Sequence, residues 1–168
     1  MLGMTMPTSG MAASHRVMLY LVLAVSVASA ALASMSHRRT VQTYAVTVGL
    51  VFGAAALVRA GGGLTDLHFD FFVVLAAVGL LQSAGSFAVA VILVAAHHLV
   101  TGIWMPDAVY SDPRVSGNPL PWVLMHTAFV IALCAVQVTY WHFIAAERHA
   151  LDVLRAAQAR IATERLVA

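Results

Sequence analysis

Residues 67–103 read LHFDFFVVLAAVGLLQSAGSFAVAVILVAAHHLVTGI, and this stretch decides the fold. It holds two apolar runs, 67–81 and 87–103, separated by the small polar segment Gln82-Ser83-Ala84-Gly85-Ser86. Each run approaches the roughly 20 residues that an apolar helix needs to cross a bilayer, and neither alternates as a half-buried strand would. The pair reads as a helical hairpin in a membrane. Upstream, 41–58 (VQTYAVTVGLVFGAAALV) is another apolar run, stopped by Arg59 and by Gly61-Gly62-Gly63, which read as a tight turn. Before it, 17–34 (VMLYLVLAVSVASAALAS) is bracketed by His15-Arg16 and His37-Arg38-Arg39. Downstream, 105–121 carries four of the five prolines and is expected to be a surface loop. A last run, 122–146, has Trp122 at one end and Tyr140-Trp141 at the other, as in an interfacial aromatic belt.

The expected fold is therefore all-α: a polytopic bundle of about five transmembrane helices over 17–146, with an N-terminal tail 1–16 and a cytoplasmic helical extension 147–168. Composition agrees, since 61% of the 168 residues are hydrophobic and only 10% charged, far from the averages of soluble domains. Such a chain is built in lipid, its helices held by packing and by internal polar contacts. All nine basic residues are arginine, and a scattered net charge of +2 excludes nucleic acid as a partner. Cys134 lies inside an apolar helix and reads as a small packing residue.

Arginine placement sets the expected orientation. With the N-terminus outside, Arg38, Arg39, Arg148, Arg155, Arg160 and Arg165 are cytoplasmic, and only Arg16, Arg59 and Arg114 lie outside. A competing reading takes Ala28-Ser29-Ala30 as a signal-peptidase site, which would leave four spans and export the arginine-rich tail against that bias. In the tail, Glu147, Ala150, Leu154, Ala157, Ile161 and Glu164 recur at alternating spacings of three and four, so 147–168 can pair with a second copy or with a signalling partner as a short coiled coil.

Histidines inside the apolar runs point to function, because an ionisable side chain in hydrocarbon is costly and usually marks a site. In the five-span topology, His68 sits at the outer start of its helix, His98 five residues below Ile103 and His126 five below Pro121. At 1.5 Å per residue the latter two lie roughly 7–8 Å deep, so all three sit in the outer leaflet. His97 and His98 are about 100° apart around a helix, so one faces inward, and the spacing from Thr101 favours His98. Asp66 and Asp70 share a face if their segment is helical, while His68 projects from nearly the opposite side. Imidazole with carboxylate suits a transition metal such as iron, copper or zinc, and imidazoles from facing helices suit a haem iron. The metal candidates are thus His68, His98, His126, Asp70, His97 and Asp66, with hydrogen bonding between helices as the structural alternative. His142 reads as interfacial, and the Phe69, Phe71 and Phe72 cluster as lipid-facing or packing surface. No paired base and nucleophile and no His-Glu-x-x-His helix stand out, so the sequence assigns no catalytic residue.

The segment Gly62-Gly63-Leu64-Thr65-Asp66-Leu67-His68-Phe69-Asp70-Phe71-Phe72-Val73 resembles multi-span N-terminal regions that precede bacterial methyl-accepting, diguanylate-cyclase and histidine-kinase modules. Further matches are His97-His98 after an apolar run, Pro106-Asp107-Ala108-Val109-Tyr110, and Pro121-Trp122 followed by His126-Thr127-Ala128-Phe129-Val130. The resemblance covers roughly 15–147 and implies a sensory domain of the inner membrane that passes a signal down its last helix. The chain departs from that pattern at Arg59, where a histidine shortly before the glycines is usual, at Asp66, where a glutamate is usual, and at Asp70, which interrupts His-Phe-His-Phe-Phe. Leu81 and Ala84 replace the usual tyrosine and tryptophan of the following turn. Asp70 is then the substitute ligand, since carboxylate can stand in for imidazole on a borderline cation. Two functions remain in view: a membrane sensor and signalling input domain with a histidine-lined outer-leaflet site, or an intramembrane metal or haem redox protein or metal carrier.

Overall fold

The computed structural model describes residues 13–104, 117, 118 and 120–167. The regular elements among them are helical: α1 (Ala13–Met35), α2 (Arg39–Ala60), a 3-10 helix (Thr65–Phe69), α3 (Asp70–Gly79), α4 (Ala84–Trp104) and α5 (Leu120–Val167). Four of them, α1, α2, α4 and α5, are long and apolar enough to cross a membrane. This is the all-α architecture that the apolar runs require. Most of the expected N-terminal tail and most of the loop 105–121, with Asp107, Tyr110 and Arg114, lie outside the described residues. Pro121 falls in the first turn of α5, where the N–H it lacks has no intrahelical acceptor in any case.

By its internal contacts the chain divides into one unit through Val130 and a second from Ile131 onward. In the first, α1 packs along α2, and α2 also meets the 3-10 helix, α3 and α4. Phe71, Val74, Leu75 and Val78 line the buried face of α3, a spacing of three, four and seven that puts all of them on one side. Val51, Ala54 and Val58 of α2 and Ala90 and Val94 of α4 complete this core. The second unit is the remainder of α5. Leu151, Val153, Leu154 and Ile161 are exposed there, and Asp152 and Arg155 form an exposed ion pair at 3.4 Å.

The region expected as a third helix over 67–81 starts instead as a 3-10 helix, and its α-helical part has ten residues. Together the two pieces rise about 25 Å, somewhat short of the ~30 Å hydrocarbon core. A 3-10 turn holds three residues, so Asp66 and Asp70 do not lie on one continuous α-helical face as the sequence suggested.

Local chemistry explains the turns. Gly63 N–H bonds to Val58 O at 3.0 Å and Gly62 N–H to Arg59 O at 3.1 Å, the paired bonds of a Schellman motif. Gly62 and Gly63 have φ of +68° and +77°, which side chains with a Cβ adopt only under strain. At the α3–α4 turn Gln82 takes φ of +52°. Between helices, Ser26 Oγ donates to Gly49 O at 2.9 Å, joining α1 to α2. A Cβ on Gly85 would collide with the Tyr44 hydroxyl, so α4 passes close to α2 at that residue. Small residues and hydroxyl bonds of this kind are how helices associate where lipid is as apolar as the side chains.

Candidate functional site

The Thr65–Phe69 helix, the last turns of α4 and the first turns of α5 bring three histidines together. The rings of His98 and His126 stack with centroids 4.4 Å apart and planes 27° apart. The His68 ring lies 5.7 Å from that of His98, with the planes 58° apart. His68 and His98 are buried, at 6% and 7% exposure, and His126 is half-buried. His97 sits 5.4 Å from His98 with the planes nearly perpendicular, at 84°, and it faces a different space.

Phenylalanines hold these rings in place. Phe71 is fully buried, with its ring 5.0 Å from His97, 5.1 Å from His98 and 6.4 Å from His68. Phe72 packs against His126 at 4.7 Å and meets Phe129 edge-on. The cluster read as lipid-facing or packing surface therefore divides: Phe69 is 63% exposed, whereas its neighbours wall the imidazoles. The spacing could have revealed this, because Phe71 and Phe72 follow His68 by three and four residues and lie on its face.

Backbone carbonyls fix the proton on two of the rings. His98 Nδ1 lies 2.8 Å from Val94 O, and His68 Nδ1 lies 3.2 Å from Leu64 O. A carbonyl only accepts, so each Nδ1 carries hydrogen and, in the neutral ring, Nε2 presents its lone pair. The Nε2 atoms of His97, His98 and His126 are shielded from solvent and have no hydrogen-bond partner among the described residues. Buried polar atoms are normally satisfied, and an exception calls for an explanation.

Among the described residues, no three His, Cys, Asp or Glu side chains stand close enough to hold a metal ion as they are arranged. Asp66 is exposed and Asp70 half-buried. His142 and His149 are exposed on α5, in the second unit. Arg59, which the sequence places on the outer side, lies in the last turn of α2 and is only 7% exposed. The helix runs on to Ala60 before the glycines turn the chain.

No family model matches this chain, and no solved structure matches it. The transducer protein Htr8 of Halobacterium salinarum is 27% identical over 129 residues, which is 77% of this chain. This chain is similar to a signalling transducer. The matched part is 20% of that relative, so the chain spans about a fifth of its length. Four helices suited to a bilayer fit a membrane protein.

Proposed function

We propose that the protein is a sensory input domain of a membrane signalling system, and that His68, His98 and His126 receive a transition-metal ion (iron, copper or zinc) or a haem iron through Nε2. The observation that carries this reading is the stacked pair of His98 and His126, whose shielded Nε2 atoms have no hydrogen-bond partner among the described residues. The donor chemistry fits, since a neutral imidazole tied at Nδ1 to a carbonyl is the usual form of a metal-binding histidine. When bound, the metal supplies a Lewis acid to these lone pairs. Asp70 and Asp66 are the neighbouring groups proposed to complete or tune the set.

The signalling step rests on the chain's own elements. His68, His98 and His126 come from three helical segments, and a ligand shifts the packing of those segments to the extent that it binds their arrangements unequally. His126 lies near the start of α5, which continues to Val167, so a change at the imidazoles has a route into 147–168. In this reading that tail is cytoplasmic, the N-terminus is outside, and the output passes to a second copy or to a partner chain.

The test is metal analysis and an optical spectrum of protein purified in mild detergent. Stoichiometric iron, copper or zinc, or a Soret band, is expected, and His98→Ala and His126→Ala should each abolish it. Occupancy that survives both substitutions removes the site assignment. Protein that carries no metal, and takes none up when iron, copper, zinc or haemin is supplied, overturns the ligand class. A bound redox metal with catalytic turnover would favour the enzyme or carrier alternative.

A further inference from the structure

A second feature of the first unit involves the face of α4 that carries His97 rather than the one that carries His98. A cleft of about 280 Å³ opens between α1, α2 and α4. Met18 and Val22 of α1, Phe52 of α2 and Leu93 of α4 form apolar walls, while Arg59, His97 and Thr101 also line it. These polar groups gather at one end, because α2 and α4 run parallel and residues 58–59 of one meet 100–101 of the other along the same wall. The cleft is therefore amphipathic, with a deep apolar part and a cationic, hydrogen-bonding end.

We infer that this cleft binds a medium-chain aliphatic carboxylate, with the chain between α1 and α2 and the head at Arg59. Several observations choose the ligand. A guanidinium is always charged and presents a planar fork that matches a carboxylate, and its five N–H donors can serve this head as well as another acceptor. His97 Nε2, shielded and with no hydrogen-bond partner among the described residues, sits at the same end, where its Nε2–H tautomer can donate to the head. The volume is at the lower edge of the ~300–1,000 Å³ of ligand pockets and roughly twice the ~150 Å³ that holds benzene, so it suits one short chain and excludes a diacyl lipid. Because His97 and His98 are consecutive on α4, with rings 5.4 Å apart, the occupant would lie one residue from the three grouped histidines without touching them.

The experiment uses the full chain in phosphatidylcholine nanodiscs with a photoactivatable ten-carbon carboxylic acid. Labelling is expected within 18–22, 51–59 or 93–101 and should be displaced by decanoate at least about tenfold more effectively than by decanol, the worth of one charge-assisted contact. Arg59→Gln should weaken capture by a similar factor. Because that variant can fail to fold, Ala55→Phe, which fills the cleft with the charge intact, should also block labelling while thermal unfolding in the nanodisc stays within a few degrees of the parent. Equal displacement by decanol, labelling outside these segments, or displacement by diacyl phosphatidic acid as effective as by decanoate would each overturn the inference. Metal content is measured in parallel and is expected to be the same with and without decanoate, so this outcome is independent of the imidazole site.

Discussion

His98 touches Phe71 on one side and stacks on His126 on the other, so truncating either neighbour has a separable effect. Phe71→Ala removes a fully buried ring and should cost about 3–5 kcal/mol, read as a lowered midpoint of thermal unfolding. Phe71→Leu should restore most of that stability while leaving the imidazoles less firmly placed, so metal retention should fall more than the midpoint does. His98→Asn keeps a polar side chain at the buried position but offers no imidazole lone pair. It should therefore lose the metal proposed to bind there at near-normal stability, and metal stoichiometry beside an unfolding curve checks both halves. Which histidines mattered was partly legible, because a titratable group in an apolar run stands out by cost alone. Their phenylalanine supports were harder to read, since in such a sequence phenylalanine is equally at home against lipid.

At the level of elements, the turn after α2 depends on backbone conformations that only glycine adopts freely. Gly62→Ala, at φ of +68°, should destabilise by about 1–2 kcal/mol although nothing obstructs its Cβ. The approach of α4 to α2 makes a different prediction. Gly85→Ala brings a methyl into the Tyr44 hydroxyl, and Tyr44→Phe should recover part of the loss, a coupling that a double-mutant cycle of unfolding midpoints would register. The glycine turn could be read from its triplet and the hairpin from its polar interruption. The 3-10 start of the third segment could not, because 3-10 and α backbones share a hydrophobic pattern over so few residues and differ by the contacts of each turn.

For the molecule as a whole, the orientation that arginine placement favours puts residue 155 on the cytoplasmic side. In a Cys134→Ala background, Leu154→Cys should resist a membrane-impermeant thiol reagent in intact cells and react after permeabilisation. Since Leu154 is 59% exposed on a helix with apolar residues at coiled-coil spacing, the same variant should also form a disulfide-linked dimer under oxidation if the tail pairs with a second copy. Reaction in intact cells would reverse the topology and move the imidazoles to the cytoplasmic leaflet.

The sequence by itself determined the helical, membrane-suited character of the chain and the places where each helix stops. Those properties follow from one-dimensional signals: apolar run length, and glycine, proline or arginine at the ends. Only the tertiary structure decided that Phe71 packs against His68, His97 and His98, and that Arg59 is buried beside an apolar cleft. Each of these depends on the rotation of a helix about its own axis. In a helix apolar on nearly every side that rotation leaves little trace in the pattern of residues, and it is set by which small side chains let neighbouring backbones approach.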